Sequence, residues 1–450
     1  MITVDKNIYH IQDNLYYIPY LSCIIETSPN QNSINLTKDN TNNVDQVALG
    51  SLESMIESQS SSQHILRPDL ACSAEIILTE RCNLQCKYCY SGGYRSNRTI
   101  SKEFIHDIIE KLFQNAVTYN NSNMSEHKEV YILFHGGGEP TLAWDELCYA
   151  ITLGKSLSVQ YKTQLRFNLA SNGIIPASRL EHLIDNGFMF RISLDGIGEM
   201  NDLTRQTPTE ESSFPLVAQT LDRLNESNNR FIIAAVVTPD NISQMENFIK
   251  AATCRWDSMY DFRFFMLEET ELTEKNHFGK TDPRLFQRNY YTCIDYMIKN
   301  EFGRYKKFIS LNDYILRTHK GSCAPSIMNM PVYNSNGDIL RCNAHVFDES
   351  AKIGYYHDKL IYESKRYLPL FNSLTAKKES CESCICNTHC EFSSNTCVKP
   401  ISPPIHYCNY MNDTIRHCLI ESFNNPSLIS NSVVYNNVSQ KLKKVVHWKS

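Results

Sequence analysis

The sequence predicts an α/β protein: a parallel sheet with its helices outside, either doubly wound or an open barrel, followed by a small cysteine-rich domain. Three observations carry this. Between Glu75 and about residue 305, six short runs rich in β-branched and aromatic residues alternate with stretches of helical period. Beyond that point the alternation stops, and residues 323–408 are loop-rich and dense in cysteine. The 450-residue chain holds 17 cysteines in all, more than a plain α/β enzyme calls for.

Residues 1–70 read as an N-terminal extension. Its opening, Asn14–Tyr20 through Ile24 and Ile25, reads as a short hairpin, and residues 51–63 end in a Ser/Gln tract that reads as a linker or a weak helix. Residues 71–305 carry the alternation. The expected strands are Glu75–Thr79, Val130–Phe134, Leu165–Ala170, Met189–Leu194, Phe231–Val237 and Phe262–Leu267. The expected helices lie near 102–118, 144–158, 177–187, 214–226, 242–253 and 283–299. Strand–helix repetition of this kind gives parallel pairing, because a parallel crossover needs a helix-length connection. In either arrangement the site belongs at the C-terminal ends of the strands. Residues 306–410 form a bridging segment and the cysteine-rich domain, in which Asn336-Gly337 between apolar runs marks a hairpin turn. Residues 411–450 are a polar tail to which the sequence assigns no role.

Lys and Arg number 44 against 49 Asp and Glu, a net charge of −5. That balance excludes a general nucleic-acid binder and a polybasic membrane anchor. No apolar run approaches the ~20 residues needed to span a bilayer. The opening Met1-Ile2-Thr3-Val4-Asp5-Lys6 does not begin a secretory signal. The expectation is a cytoplasmic protein with reduced thiols, whose many cysteines bind metal rather than pair. Cys23, Cys72, Cys148, Cys254, Cys293 and Cys418 are scattered, as small buried hydrophobes are. The others fall into two groups.

The first group, Cys82-x3-Cys86-x2-Cys89, follows the first expected strand directly and so lies in the first strand-to-helix loop. Three thiolates can hold three irons of a [4Fe–4S] cube and leave the fourth open, as a catalytic metal centre requires. A zinc knuckle is the other reading, although zinc takes four ligands and no fourth Cys or His is at hand. Tyr88, between the last two cysteines, is suited to packing against a cluster and a bound cofactor. The later strands end in motifs of their own. His135-Gly136-Gly137-Gly138-Glu139-Pro140 follows the second, and Ser171-Asn172-Gly173 the third. Ser193-Leu194-Asp195-Gly196, with Asp202 and Arg205, follows the fourth, and Val236-Val237-Thr238 closes the fifth. Glycines let backbone approach a ligand closely, and a carboxylate suits an ammonium group.

In this order, each at the end of its own strand, the motifs resemble the radical S-adenosylmethionine (SAM) superfamily over residues 75 to about 270. The resemblance implies a partial (β/α)6 barrel in which Cys82, Cys86 and Cys89 ligate the catalytic, SAM-binding [4Fe–4S] cluster. It implies that the carbonyls of Gly137 and Gly138 and the Glu139 carboxylate receive the SAM amino group, with Ser171 and Asn172 beside them. It further implies that Ser193 and Asp195 face the ribose, that Arg205 pairs with the SAM carboxylate, and that Val237 lies near the adenine. The extra glycine of GGGEP is a departure from the family's GGEP and leaves open which carbonyl meets SAM.

The second group reads Cys323-x13-Gly337-x4-Cys342, then Cys381-x2-Cys384-x5-Cys390, Cys397 and Cys408. It resembles the SPASM extension of radical SAM enzymes. The match holds through Cys390; four positions on, the family expects a cysteine where this chain has Ser394, so Cys397 is taken as the displaced ligand. The resemblance implies two auxiliary [4Fe–4S] clusters, one on Cys323, Cys342 and Cys397 and one on Cys381, Cys384, Cys390 and Cys408, making three clusters in all. The fourth position of the first is open, taken by water or substrate, or filled by Cys386. A pair of structural zinc sites is the alternative for a CxxC-rich hairpin domain.

For function, the resemblance implies a 5′-deoxyadenosyl radical that abstracts hydrogen from a substrate carbon, formed when one electron from a flavodoxin- or ferredoxin-like donor cleaves SAM. Auxiliary clusters fit net oxidation, because a substrate radical that closes a bond must still lose an electron and a proton. SPASM proteins act mostly on peptides. The expected partner is therefore a ribosomally made precursor peptide, whose leader pairs with the extension by strand addition unless the extension is a packing arm. The expected activity is intramolecular cross-linking through a C–C, ether or thioether bond, with darobactin-type and related cyclophane-forming maturases the subgroup to compare first. The alternatives are a sulfatase-maturase-like enzyme that makes formylglycine, and a peptide epimerase with Cys386 or Cys418 as hydrogen donor. Arg263, Glu268, Glu269 and His135 are candidates to touch the substrate, and structural ion pairs explain them equally well.

Overall fold

The computed structural model describes residues 9–12, 15–18, 23–26, 67–92, 95–122, 129–267, 273, 279–300, 330–343, 346, 348–366, 413, 416, 417 and 420. The chain divides into two compact units. One comprises residues 1–65, 294–323 and 371–450, the other residues 66–293 and 324–370.

In the first unit the described residues include an antiparallel meander, β1 (Tyr9–Gln12), β2 (Leu15–Ile18) and β3 (Cys23–Glu26), with Tyr16 opposite Ile25 and Ile18 opposite Cys23. The expected hairpin is thus three strands. Arg416, near the C-terminus, hydrogen-bonds the His10 carbonyl.

The second unit is built on one sheet. Its strands are β4 (Ser73–Ile76), β5 (Val130–Phe134), β6 (Leu165–Ser171), β7 (Met189–Ser193), β8 (Phe231–Val237) and β9 (Met259–Met266), all parallel and neighbours in sequence order. The connecting helices are α1 (Lys102–Ser122), α2 (Trp144–Tyr161), α3 (Ala177–Asp185), the short α4 (Glu199–Asp202), α5 (Phe214–Glu226) and α6 (Met245–Arg255), with α7 (Pro283–Lys299) following β9. An order without reversal, joined by right-handed crossovers, keeps the helices on one face. The open barrel is therefore the arrangement adopted, and the doubly wound alternative, which needs an order reversal, falls away.

Alternate residues of a strand point to opposite faces, and the two faces differ in chemistry. One row runs through Ile76, Ile132 and Phe134, Phe167 and Leu169, Phe190 and Ile192, Ile233 and Ala235, and Phe262, nearly all withdrawn from solvent. It is covered by apolar helix faces such as Val217, Leu221 and Leu224 of α5 and Phe248 and Ile249 of α6. Phe248 meets Phe262 edge-on with centroids 5.0 Å apart. The inner row carries Glu75, Tyr131, Asn168, Arg191, Ser193, Asp261 and Arg263.

The first strand is shorter than the sequence predicts. Beyond Ile76 the chain leaves β5: Ile77 N–H donates to the Tyr333 carbonyl, Ile100 N–H to the Leu78 carbonyl, and Thr79 bridges Thr99. The helix expected at 242–253 begins instead with a 3₁₀ turn at Ile242–Gln244.

The segment after residue 330 extends the same sheet. β10 (Val332–Tyr333) pairs parallel with β4, and β11 (Asp338–Leu340), β12 (Lys352–Tyr356) and β13 (Leu360–Tyr362) follow antiparallel. The expected Asn336-Gly337 turn joins β10 to β11, with Gly337 at φ +85° and Asn334 Oδ1 accepting from Asn336 and Asp338 N–H. Phe104 of α1 stacks on Tyr356 of β12 at 4.3 Å, so the extension shares the barrel's packing. Among the described residues no helix is long and apolar enough to cross a membrane.

Candidate cofactor and active site

The cysteine loop leaves the sheet after β4 and is fastened from several sides. Gln85 and Lys87 N–H donate to the Gln206 and Thr204 carbonyls at 2.8 and 2.9 Å, and Leu84 is fully buried. Cys89 N–H closes a turn on the Cys86 carbonyl at 3.1 Å. Polar donors reach the sulfurs themselves. Arg95 Nη2 donates to Cys89 Sγ at 3.1 Å while its Nη1 holds the Leu84 carbonyl, and Asn172 Nδ2 lies 3.7 Å from Cys82 Sγ.

The GGGEP loop lies across the base of the cysteine loop. Gly138 N–H donates to the Thr79 carbonyl and Glu139 N–H to the Arg81 carbonyl, at 2.9 and 2.8 Å. Gly136 and Gly137 take positive φ, +85° and +65°, and a Cβ on Gly138 would meet the Arg81 oxygen at 1.9 Å. The additional glycine thus serves the approach of two backbones. The Gly137 carbonyl accepts from Ser91 Oγ at 2.6 Å.

Glu139 ties the ends of β5 and β6 together. Its Oε1 accepts from Thr141 N–H, Thr141 Oγ1 and Ser171 Oγ, and its Oε2 from Asn172 N–H at 2.8 Å. Burial pushes the pKa of its carboxyl above the usual carboxylate range, and those four bonds oppose the rise. Ser171 Oγ in turn accepts from Gly173 N–H, and Asn172 Nδ2 donates to Asn83 Oδ1 at 2.7 Å. The Ser-Asn-Gly segment therefore positions the cysteine loop.

A relay links β7 to the same loop. Tyr88 OH donates to Asp195 Oδ2 at 2.6 Å and accepts from Arg205 Nη1 at 2.7 Å. Asp195 also accepts from Thr204 Oγ1 and Val236 N–H at 2.9 Å each, and Asn241 Nδ2 spans the Asp195 and Val236 carbonyls. Arg205 Nε is buried with no hydrogen-bond partner among the described residues. Ser193 stands half-buried on the inner face with no hydrogen bond from its side chain among the described residues. Val237 points the other way, into the layer between sheet and α6 beside Met245 and Phe248. Strand alternation gives the inner position to Val236, so only the backbone of Val237 can reach a ligand there.

Residues 76–252 match the radical SAM superfamily. The chain carries a radical SAM domain. The cysteine-type anaerobic sulfatase-maturating enzyme of Clostridium novyi is 24% identical over 317 residues, 66% of this chain and 78% of that one. The structure of anSMEcpe with bound AdoMet is similar at a TM-score of 0.61 and 20% identity, over 81% of this chain and 99% of that one. Streptococcus suis SuiB bound to precursor peptide SuiA is similar at a TM-score of 0.52 and 16% identity, over 88% and 96%. At these identities the likeness is one of fold.

The donor set of the radical SAM domain fits an iron–sulfur cube. Cys82, Cys86 and Cys89 feel one another electrostatically, yet among the described residues no three His, Cys, Asp or Glu side chains converge on one ion. A cube gives each thiolate its own iron and does not need three side chains to meet at one ion. Burial pushes the Cys86 thiol up to about 12, against the pull of Arg205, and raises Cys82 against that of Arg95. Metal must therefore displace protons from the loop as it binds.

Of the expected auxiliary ligands, Cys342 is described. It is half-buried just after β11, and the neighbouring Asn343 Nδ2 donates to Glu75 Oε2 at 3.1 Å. Cys323, Cys381, Cys384, Cys390, Cys397 and Cys408 lie outside the described residues, as do Glu268, Glu269, Cys386 and Cys418. His135 pairs with the buried Glu75 at 2.8 Å, and Arg263 with Asp261 at 3.1 Å. Sequence reasoning missed Arg95, Asn83, Thr204 and Asn241. A cation shortly after three cysteines was a usable signal for Arg95; the amides and the threonine carry none.

Proposed function

We propose that this radical SAM enzyme matures a ribosomally made peptide by oxidative intramolecular cross-linking through a C–C, ether or thioether bond. The observation that carries the proposal is extent. The likeness to SuiB with its precursor peptide runs over 88% of this chain, well beyond the superfamily match at 76–252, and supports a peptide-modifying enzyme.

Cys82, Cys86 and Cys89 would hold the SAM-binding cluster, and Glu139, Ser171, Asn172, Ser193, Asp195 and Arg205 would surround SAM with the carbonyls of Gly137 and Gly138. Cluster and SAM together would supply a radical able to abstract hydrogen from an unactivated carbon. The chain's own part is positioning. Arg95 holds the Cys89 sulfur, Asn172 orients Cys82, and Tyr88 fixes Asp195 and Arg205 relative to the cysteine loop. In the same reading the auxiliary ligand sets are Cys323, Cys342 and Cys397, and Cys381, Cys384, Cys390 and Cys408. The clusters they would hold would take up the electron that a substrate radical gives up on forming the new bond, and an external flavodoxin- or ferredoxin-like protein would supply electrons to the first cluster. The meander β1–β3 offers sheet edges for a leader peptide, and the reaction takes place in the cytoplasm.

A second reading, formylglycine formation on a sulfatase, is favoured by the 24% identity to the Clostridium novyi enzyme. High-resolution mass spectrometry of a precursor from a neighbouring short reading frame, co-expressed with the protein, separates the readings. Loss of two hydrogens, with fragments missing between two residues, supports cross-linking. An unchanged mass with deuterium uptake from heavy water means epimerisation. An unmodified precursor, with a co-expressed sulfatase losing its cysteine sulfur, promotes the second reading.

A further inference from the structure

The inner face of the sheet carries two arginines that the surrounding protein leaves largely unused. Arg191 lies on β7 two residues before Ser193, on the same face, and Arg263 of β9 is in register with Ala234, which pairs with Ser193. Two residues along a strand is about 6–7 Å, and two strands across is about 9–10 Å. Both guanidinium groups are thus within a side chain's reach of the motif that ends β7. Arg191 is half-buried, yet among the described residues it forms no hydrogen bond or ion pair. Arg263 places Nε on Asp261 Oδ2 at 3.1 Å, and its two terminal nitrogens have no partner among the described residues.

The carboxylates of this face are already engaged. Glu75 accepts from Asn343 on Oε2 and pairs with His135 on Oε1. Asp261 takes Arg263 and the Phe262 N–H. Burial lowers the affinity of Arg191 for its proton, and the Arg263 charge pushes the same way against the pull of Tyr131, Glu75 and Asp261. Two like charges held together away from bulk water are costly unless an anion joins them. Guanidinium forks match a carboxylate in both shape and charge.

We propose that Arg191 and Arg263 form a carboxylate site on the inner face of the sheet that clamps an acidic group of the substrate beneath the expected SAM position. Under the peptide reading above, on which this identification rests, the group is an Asp or Glu side chain or the peptide's C-terminal carboxylate. Held there, it turns its neighbouring carbons toward the C-terminal ends of the strands. The modified residue then carries that carboxylate or sits next to the residue that does.

Phenylglyoxal modification of the anaerobically reconstituted holoenzyme, mapped to each arginine by mass spectrometry with and without SAM, tests the site without a peptide. Glutarate is expected to slow modification of Arg191 and Arg263 at least five-fold, and the neutral glutaramide to leave it unchanged. Equal protection by both, protection by neither, or full protection by SAM alone overturns the proposal. The substrate is read by fluorescence polarisation with labelled, amidated heptapeptide libraries whose central residue is Asp or Asn, and an Asn library with a free C-terminal carboxylate. At least ten-fold tighter binding of the Asp library, or of the free-carboxylate library, is expected, and the one preferred names the source. That preference is expected to vanish in Arg191→Gln and persist in Arg191→Lys, which a packing defect does not produce. Preference retained in both Arg191→Gln and Arg263→Gln overturns the proposal. Protection by glutarate with no library bound leaves the carboxylate site standing and removes the peptide reading.

Discussion

Gly138 and Tyr88 carry the sharpest single-residue tests. The Arg81 oxygen that a Gly138 Cβ would strike at 1.9 Å is backbone, already held by Glu139 N–H, so it cannot swing aside as a side chain would. Gly138→Ala is expected to unseat the loop and lower SAM cleavage roughly 100-fold, the scale of a one-ångström misplacement, with far-UV circular dichroism unchanged; 5′-deoxyadenosine formation by chromatography is the check. Tyr88→Phe removes a hydroxyl that serves two charged groups at once. Leaving Arg205 and Asp195 each short of a partner costs about 1–3 kcal/mol, so SAM affinity by anaerobic calorimetry is expected to fall roughly 10- to 100-fold. Cys86→Ala is expected to abolish SAM cleavage, and retained 5′-deoxyadenosine formation in that variant would remove the cluster assignment. Cysteine spacing and the motifs after each strand were legible because ligand chemistry restricts residue type. Arg95 was not, since its partner sulfur is set by the path of the loop rather than by spacing. Arg191 was half-legible: Met189-Phe190-Arg191-Ile192-Ser193 alternates, and the charge falls on the inner face.

Among the elements, α5 depends on a residue outside itself. Asp202 Oδ1 accepts from Ser213 and Phe214 N–H at 3.0 Å each, and Oδ2 from Ser212 Oγ, so the carboxylate caps the helix from the preceding turn. Asp202→Ala is expected to cost about 1–2 kcal/mol, the usual range for a lost cap, read as a lowered midpoint in urea. Burial raises the Asp202 carboxyl, but the bonds from Ser212 and Phe214 outweigh it, and the net shift is downward. A depressed folded value means the stabilisation is present above the unfolded value of about 3.9. It is lost as pH falls through the folded one, so the variant's deficit is expected to shrink in acid. The boundaries of β5 and β8 were legible because uninterrupted apolar runs end there in turn residues. β10 was not, since two residues have no period to read, and its strand status comes from pairing with β4.

At the scale of the molecule, the sheet and the chain divide differently. The cysteine loop, Glu139, Asn172, Asp195 and Arg205 all belong to the unit of residues 66–293 and 324–370, whereas positions 381–408 belong to the other. Among the described residues, each bond described for the network around Cys82, Cys86 and Cys89 joins residues between 79 and 241, all within the unit that carries the sheet. SAM cleavage and product formation are therefore separable by substitution. Cys384→Ala deletes a ligand expected of the second auxiliary cluster. It is expected to lower iron by about four atoms per chain, to keep 5′-deoxyadenosine formation, and to lose the mass change of the peptide. Iron analysis, chromatography and mass spectrometry on one preparation measure all three. Loss of SAM cleavage together with product would mean that residues 371–450 support the first cluster after all. An unchanged product yield would take the second auxiliary cluster out of the oxidation. The separated outcome, radical formation without product, would place the electron's exit in residues 371–450 and the making of the radical in residues 66–293.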